Sequence, residues 1–84
     1  MKIVKLYADW CGPCKVLEKT MQDLDIKHEN INIDSVDGEG LSVKYGIRAI
    51  PAILIFDDED NLLRKLVGLP GSPEELTKFI YATN

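Results

Sequence analysis

Cysteine and histidine are scarce in this chain, and that scarcity does the first sorting. Two cysteines, Cys11 and Cys14, and one histidine, His28, are all that its 84 residues carry. A structural zinc site takes about four Cys, His or carboxylate ligands. No third cysteine exists and His28 lies well downstream, so no metal is expected. A secreted scaffold stapled by several disulfides is excluded as well; two cysteines suit a reducing compartment, the cytoplasm. Positive charge is short: ten Lys and Arg against fourteen Asp and Glu leave a net charge of −4. That sign disfavours a nucleic-acid partner. No apolar run approaches the ~20 residues of a membrane span. Met1-Lys2 leads straight into a strand-like run, without the long apolar region of a signal peptide. There is no internal repeat, linker or low-complexity segment, so a single domain over residues 1–84 is expected.

What is present centres on Trp10-Cys11-Gly12-Pro13-Cys14-Lys15. An apolar run, Ile3 to Ala8, precedes it, and an amphipathic run, Val16 to Leu24, follows. That order predicts strand, tight turn and helix, with Cys11 in the helix's first turn. The first N–H groups of a helix lack intrahelical partners, and the positive end of the dipole lies there. Both favour a thiolate at Cys11, and the thiolate is the nucleophile of disulfide exchange. A purely structural bridge is a poor reading, because a ring enclosing only Gly12 and Pro13 removes little chain entropy. Redox exchange is the reading that remains.

The rest of the chain alternates strands and helices. Residues 2–8 predict a buried strand interrupted by Lys5, whose stem packs while its amine reaches water. Pro13 suits the start of a helix. Val16, Leu17, Met21 and Leu24 form its expected core stripe, and the helix should stop near Asp25. Residues 27–33 alternate as a half-buried strand, its asparagines suiting an edge, with His28 solvated and without a role. A polar loop over 34–40 and a short helix, roughly Glu39–Tyr45, follow, with Leu41 and Tyr45 facing inward and Gly46 as C-cap. Pro51 opens a buried strand through Phe56, a position where proline is tolerated and where it can be cis. Asp57 to Asn61 is a solvated hairpin tip without the spacing of a calcium loop. Leu62 to Val67 returns as a strand broken by Gly68. Ser72-Pro73-Glu74-Glu75 is a capping box, and Leu76, Phe79 and Ile80 are the buried stripe of a last helix. The expected order is β-α-β-α-β-β-α: an α/β fold in which the first two strands are parallel, the last two form a hairpin, and helices flank a four-stranded mixed sheet.

These residues resemble the thioredoxin family. Ala8-Asp9-Trp10-Cys11-Gly12-Pro13-Cys14-Lys15 is similar to its active-site signature, and Lys44-Tyr45-Gly46-Ile47-Arg48-Ala49-Ile50-Pro51 to the segment ending at its cis-proline. Asn32-Ile33-Asp34 and Gly68 match two further landmarks. The resemblance covers nearly the whole chain and is to the short thioredoxin-like proteins of phages and archaea. Three departures stand out. The family's additional N-terminal strand and helix have no counterpart, which leaves residues 27–33 as an edge open to pairing. Lys5 stands where the family carries a buried acid beneath the active site. Asn30 stands where it often carries the lysine that pairs with that acid.

The resemblance implies a minimal thioredoxin fold and a protein-disulfide reductase. In it Cys11 attacks a client disulfide and Cys14 resolves the mixed disulfide. Lys5, Trp10, Gly12, Pro13 and a cis Pro51 support the pair, with a charged Lys5 stabilising a nearby thiolate. Trp10, Ile33, Ile50, Gly68 and Leu69 line the docking surface, where the backbone at Ile50 meets an extended client chain. No bound cofactor is implied. Electrons come from an NADPH-dependent thioredoxin reductase, and clients are disulfide-containing proteins such as ribonucleotide reductase. A monomer in the cytoplasm is expected, the host's if the source is viral. The alternatives are a glutaredoxin-like reductant recycled by glutathione and a binding subunit indifferent to redox state.

Overall fold

The computed structural model describes residues 1–82; Thr83 and Asn84, the end of the expected 1–84 domain, lie outside them. The elements are β1 (Lys2–Tyr7), α1 (Gly12–Asp23), β2 (Glu29–Asn32), α2 (Val36–Tyr45), β3 (Ala52–Phe56), β4 (Leu62–Val67) and α3 (Pro73–Tyr81). The sheet order is β2-β1-β3-β4. β1 runs parallel to β2, with Lys5 beside Asn30, and antiparallel to β3, with Lys5 opposite Ile53. β3 and β4 form the antiparallel hairpin. Order and mixed sheet agree with the expectation.

Strand alternation assigns the two core layers. On one face Ile3, Ile53 and Ile55 meet Leu17 and Met21 of α1 and Leu76 and Ile80 of α3. On the other, Val4, Leu6, Leu54 and Phe56 pack with Ile47, Leu41 and Tyr45 beneath α2. Lys5 shares the parity of Ile3 and so points toward α1, in the middle of an apolar layer.

Four expectations need correction. The core stripe of α1 is Cys14, Leu17 and Met21, while Val16 and Leu24 are exposed. The helix is rotated so that the resolving cysteine, rather than Val16, faces inward. The strand expected over 27–33 shortens to Glu29–Asn32. Asp25 takes a left-handed turn (φ 54°) and Ile26 drops into the core, which leaves Lys27 and His28 outside the ladder. The loop expected over 34–40 is largely helix. Ser35 caps α2, its Oγ accepting from the Gly38 N–H at 3.0 Å, and Asp37 and Glu39 sit at the positive end of the dipole. In the last helix Ser72 Oγ accepts from the Glu75 N–H, but the Glu75 carboxylate takes the N–H of Gly71 instead of the cap's own.

Two long cations tie the helix ends down. Arg64 donates to the carbonyls of Phe79 and Ile80, and Lys65 to that of Tyr45. These are carbonyls that no helical N–H satisfies. Asp57 Oδ1 accepts from the N–H groups of Glu59 and Asn61. The acidic hairpin tip is therefore a self-bonded turn.

Candidate active site

The chain leaves β1 at Tyr7, turns through Asp9 and Trp10, and enters α1 at Cys11. The Cys11 N–H donates to the Ala8 carbonyl, closing that turn at 3.1 Å. Cys11 is the N-cap of α1, in extended geometry (φ −92°, ψ 103°), with Pro13 in the first helical turn. A sulfur thus stands where Ser or Asp usually does. The Cys14 N–H donates to Cys11 Sγ at 3.1 Å. Cys11 and Cys14 are joined as a disulfide with their Cα atoms 5.3 Å apart. Cys11 retains 5% of its exposure and Cys14 2%. In the dithiol form the Cys14 N–H and the helix end both favour negative charge on Cys11.

Around the pair the structure gathers most of the residues expected there. Ala8, Cys11 and Cys14 pack together, with Tyr7, Ile33 and Ile50 against them. The Ile50–Pro51 peptide is cis, and Pro51 is buried. Gly68 donates its N–H to the Pro51 carbonyl at 2.8 Å and has φ +90°, a conformation that glycine adopts without strain. Gly12 has open space around its Cα, and Trp10, 73% exposed, and Leu69 stand out from the surface.

Lys5 departs from expectation. It is 2% exposed and does not snorkel. Its Nζ donates to Glu18 Oε1 at 2.5 Å. Glu18 lies one turn after Cys14 on the same face of α1. His28, expected in solvent, has a side chain only 6% exposed. Its Nε2 lies 2.7 Å from Glu18 Oε1 and its Nδ1 2.7 Å from the Ile26 carbonyl. Gln22 donates to the other carboxylate oxygen at 2.8 Å. Burial pushes the Glu18 carboxyl up, but the hydrogen bonds from Lys5, His28 and Gln22 outweigh it and hold it at about 2. Asn30, although level with Lys5 in the ladder, makes no bond to it. Glu18 and His28 are the residues that sequence reasoning missed. The amphipathic pattern puts Glu18 on the polar face of α1, opposite the core stripe; its i, i+4 spacing from Cys14 is the signal that could have found it, and nothing pointed to His28, which the turn at Asp25 brings back.

A cavity of about 580 Å³ opens beside Cys14, with Lys5, Glu18, Lys15, Asp9 and Asn30 in its wall. Among the described residues no group of three or more His, Cys, Asp or Glu is placed to hold a metal ion. No helix among them is long and apolar enough to cross a membrane.

A disulfide at the first turn of a helix, beside a cis-proline on a mixed sheet, defines the class as dithiol–disulfide exchange proteins. Comparison with known proteins narrows the class. The Thioredoxin family model matches residues 1–82. Thioredoxin C-2 of Corynebacterium nephridii is 32% identical over 82 residues, 93% of this chain and 74% of that protein. A thioredoxin of Staphylococcus epidermidis is 35% identical over 72 residues, 81% of this chain and 68% of that one. Among solved structures, a mutant thioredoxin from Halobacterium salinarum superposes with a TM-score of 0.76 at 30% identity, over 93% of this chain and 69% of that one. The chain belongs to the thioredoxin family. It is a protein-disulfide oxidoreductase whose redox-active pair is Cys11 and Cys14.

Proposed function

We propose that the chain works as a general reductant of protein disulfides, with Cys11 as the attacking and Cys14 as the resolving sulfur. The observation that carries this division of labour is the position of Cys11 as N-cap, its sulfur accepting the Cys14 N–H. Cys11 thiolate attacks a client sulfur, forms a mixed disulfide and releases the client's other sulfur as a thiolate. Cys14 then attacks Cys11 Sγ, and the second client sulfur leaves. Two electrons pass to the client, and the Cys11–Cys14 bond remains.

Trp10, Ile33, Ile50, Gly68 and Leu69 form the docking face around Pro51, and the backbone at Ile50 pairs with an extended client segment. Gly12 keeps the approach to Cys11 open, and Pro13 fixes the first turn of α1. No cofactor is needed for the exchange itself. The reducing electrons come from an NADPH-dependent thioredoxin reductase, and ribonucleotide reductase is a fitting client class. The protein works as a monomer in the cytoplasm, where thiols are kept reduced.

The experiment is client capture with Cys14→Ser. Mixed disulfides joined through Cys11 should accumulate and dissolve on adding dithiothreitol. Capture through Cys14 in a Cys11→Ser variant instead would reverse the assignment. Insulin reduction should be sustained by NADPH with thioredoxin reductase, and a requirement for glutathione would favour the glutaredoxin-like alternative. A Cys11→Ser, Cys14→Ser double variant that kept full biological function would mean a redox-independent binding subunit.

A further inference from the structure

The network behind Cys14 is built from three titratable residues that the exchange scheme above leaves unused. Lys5, from β1, is among the largest fully buried side chains of the chain, and its ammonium reaches a carboxylate, Glu18, that is itself partly covered. His28 closes the network from the loop before β2. Both nitrogens of its ring face acceptors, the Ile26 carbonyl and Glu18 Oε1. Lys5 and Glu18 form the ion pair of the cluster, and the His28 ring lies against the same carboxylate oxygen that Lys5 reaches. The other groups facing it are Tyr7, whose ring centroid is 6.0 Å from Lys5 Nζ, and Asp9, Lys15 and the neutral Asn30 in the cavity wall. From β3 the apolar Ile53 stands opposite. Beyond His28, Asp25 and Lys27 pair with each other at 3.1 Å and neutralise one another. The cavity containing Lys5 and Glu18 is the one that opens on Cys14.

We propose that Lys5, fixed by Glu18 and His28, is a positioning residue for the sulfur of Cys14, its buried ammonium favouring the Cys14 thiolate that attacks the mixed disulfide. The inference rests on the exchange chemistry above and assigns its second half to this cluster. An ionised Glu18 bonded to three donors is a poor base, and a charged Lys5 has no lone pair. Neither takes the proton of Cys14. That proton goes to water entering the cavity, and Cys14 Sγ then attacks Cys11 Sγ. The Cys11–Cys14 bond forms, the bond from Cys11 to the client sulfur breaks, and that sulfur leaves with the electron pair. The chain therefore uses a fixed buried ammonium, rather than a general base, to prepare its resolving sulfur.

The test uses the reduced full chain and 5,5′-dithiobis(2-nitrobenzoate), whose coloured thiolate is released twice. The first release reports attack by Cys11 and the second resolution by Cys14. Stopped-flow traces across pH are compared for wild type, Lys5→Met, Glu18→Gln, His28→Asn and the Lys5→Met, Glu18→Gln double variant. Lys5→Met should slow the second release about tenfold at neutral pH and move its pH midpoint up by roughly one unit, the first release changing less than twofold. Glu18→Gln removes the negative member and should move that midpoint down. His28→Asn loosens the carboxylate that holds Lys5 and should move the midpoint by less than Lys5→Met does. The double variant removes the ion pair as a unit, which folded proteins tolerate, and its midpoint should fall below that of Lys5→Met, because the two removals act in opposite senses. A purely structural role moves Lys5→Met and Glu18→Gln in the same direction, and that result overturns the proposal, as does an unchanged second-release midpoint in Lys5→Met or a double-variant midpoint above that of Lys5→Met. Slowing confined to the first release overturns it too and points back to the assignment of Cys11.

Discussion

Glu18 accepts three donors on two oxygens, and the consequence for stability has a definite sign. Its folded value, about 2, lies below its ordinary 4.5, so folding favours the ionised form. The stabilisation is complete above about pH 4.5 and is lost as the pH falls toward 2. The carboxylate is a quarter exposed, and with screening the contribution is on the order of 2 kcal/mol. Urea unfolding should therefore show Glu18→Gln less stable than wild type by about that much at neutral pH, the gap closing toward about pH 2.5. A gap independent of pH would separate the loss from the ionisation of Glu18. Residues of this kind are only half legible in a sequence. The placement of Lys5 in a buried run was legible; Glu18 was read as part of the polar face of α1, because a carboxylate in an amphipathic run defaults to solvent. The reach of Lys5 was not legible, because whether a long stem turns to water or to a carboxylate depends on a facing helix. His28 was illegible because its place depends on one left-handed residue, Asp25.

At the scale of elements, strands and capped helices were readable where their signals were strong. β3 is a continuous apolar run, and α3 begins at Ser72-Pro73. α2 was read as loop over its first half because Gly38 and Gly40 weaken helix propensity. Local preference loses there to caps at both ends, Ser35 and the left-handed Gly46, and to packing. Gly38 is buried against the end of β2, where an added Cβ would overlap the carbonyl of Asn32. Propensity alone makes Gly38→Ala stabilising by about 1 kcal/mol. Contact with backbone that cannot retreat makes it destabilising by about 2 kcal/mol. The second effect should win. Gly40, with open space around it, is the control: Gly40→Ala should stabilise by about 0.5–1 kcal/mol. Ser35→Ala should cost about 1 kcal/mol through the lost cap. Chemical unfolding of the three variants checks the set, and stabilisation by Gly38→Ala would show that α2 shifts away from β2.

For the whole molecule, the order of elements and the sheet topology were legible because periodicity, glycine and proline marked almost every boundary. The site was legible because two motifs far apart in sequence, Cys11 to Cys14 and Ile50-Pro51, meet where β1 and β3 pair. The linkage between folding and redox state was not legible, since it belongs to no single residue. Oxidation closes a ring around Gly12 and Pro13 only, in a turn that the cap and Pro13 already fix. Chain entropy then stabilises the oxidised form over the reduced one by about 2 kcal/mol. On the proposal above, the buried ammonium of Lys5 works against this, because it favours the thiolate of the reduced form. Guanidinium unfolding of the two redox forms at neutral pH should show the oxidised form ahead by less than that amount. Lys5→Met should widen the difference, since the charge it removes favours only the reduced form. By the thermodynamic cycle, this difference is also the amount by which folding makes the disulfide harder to reduce than in the unfolded chain. A Lys5→Met variant with an unaltered gap between the two forms would mean that the buried ammonium does not sense the charge on the sulfurs.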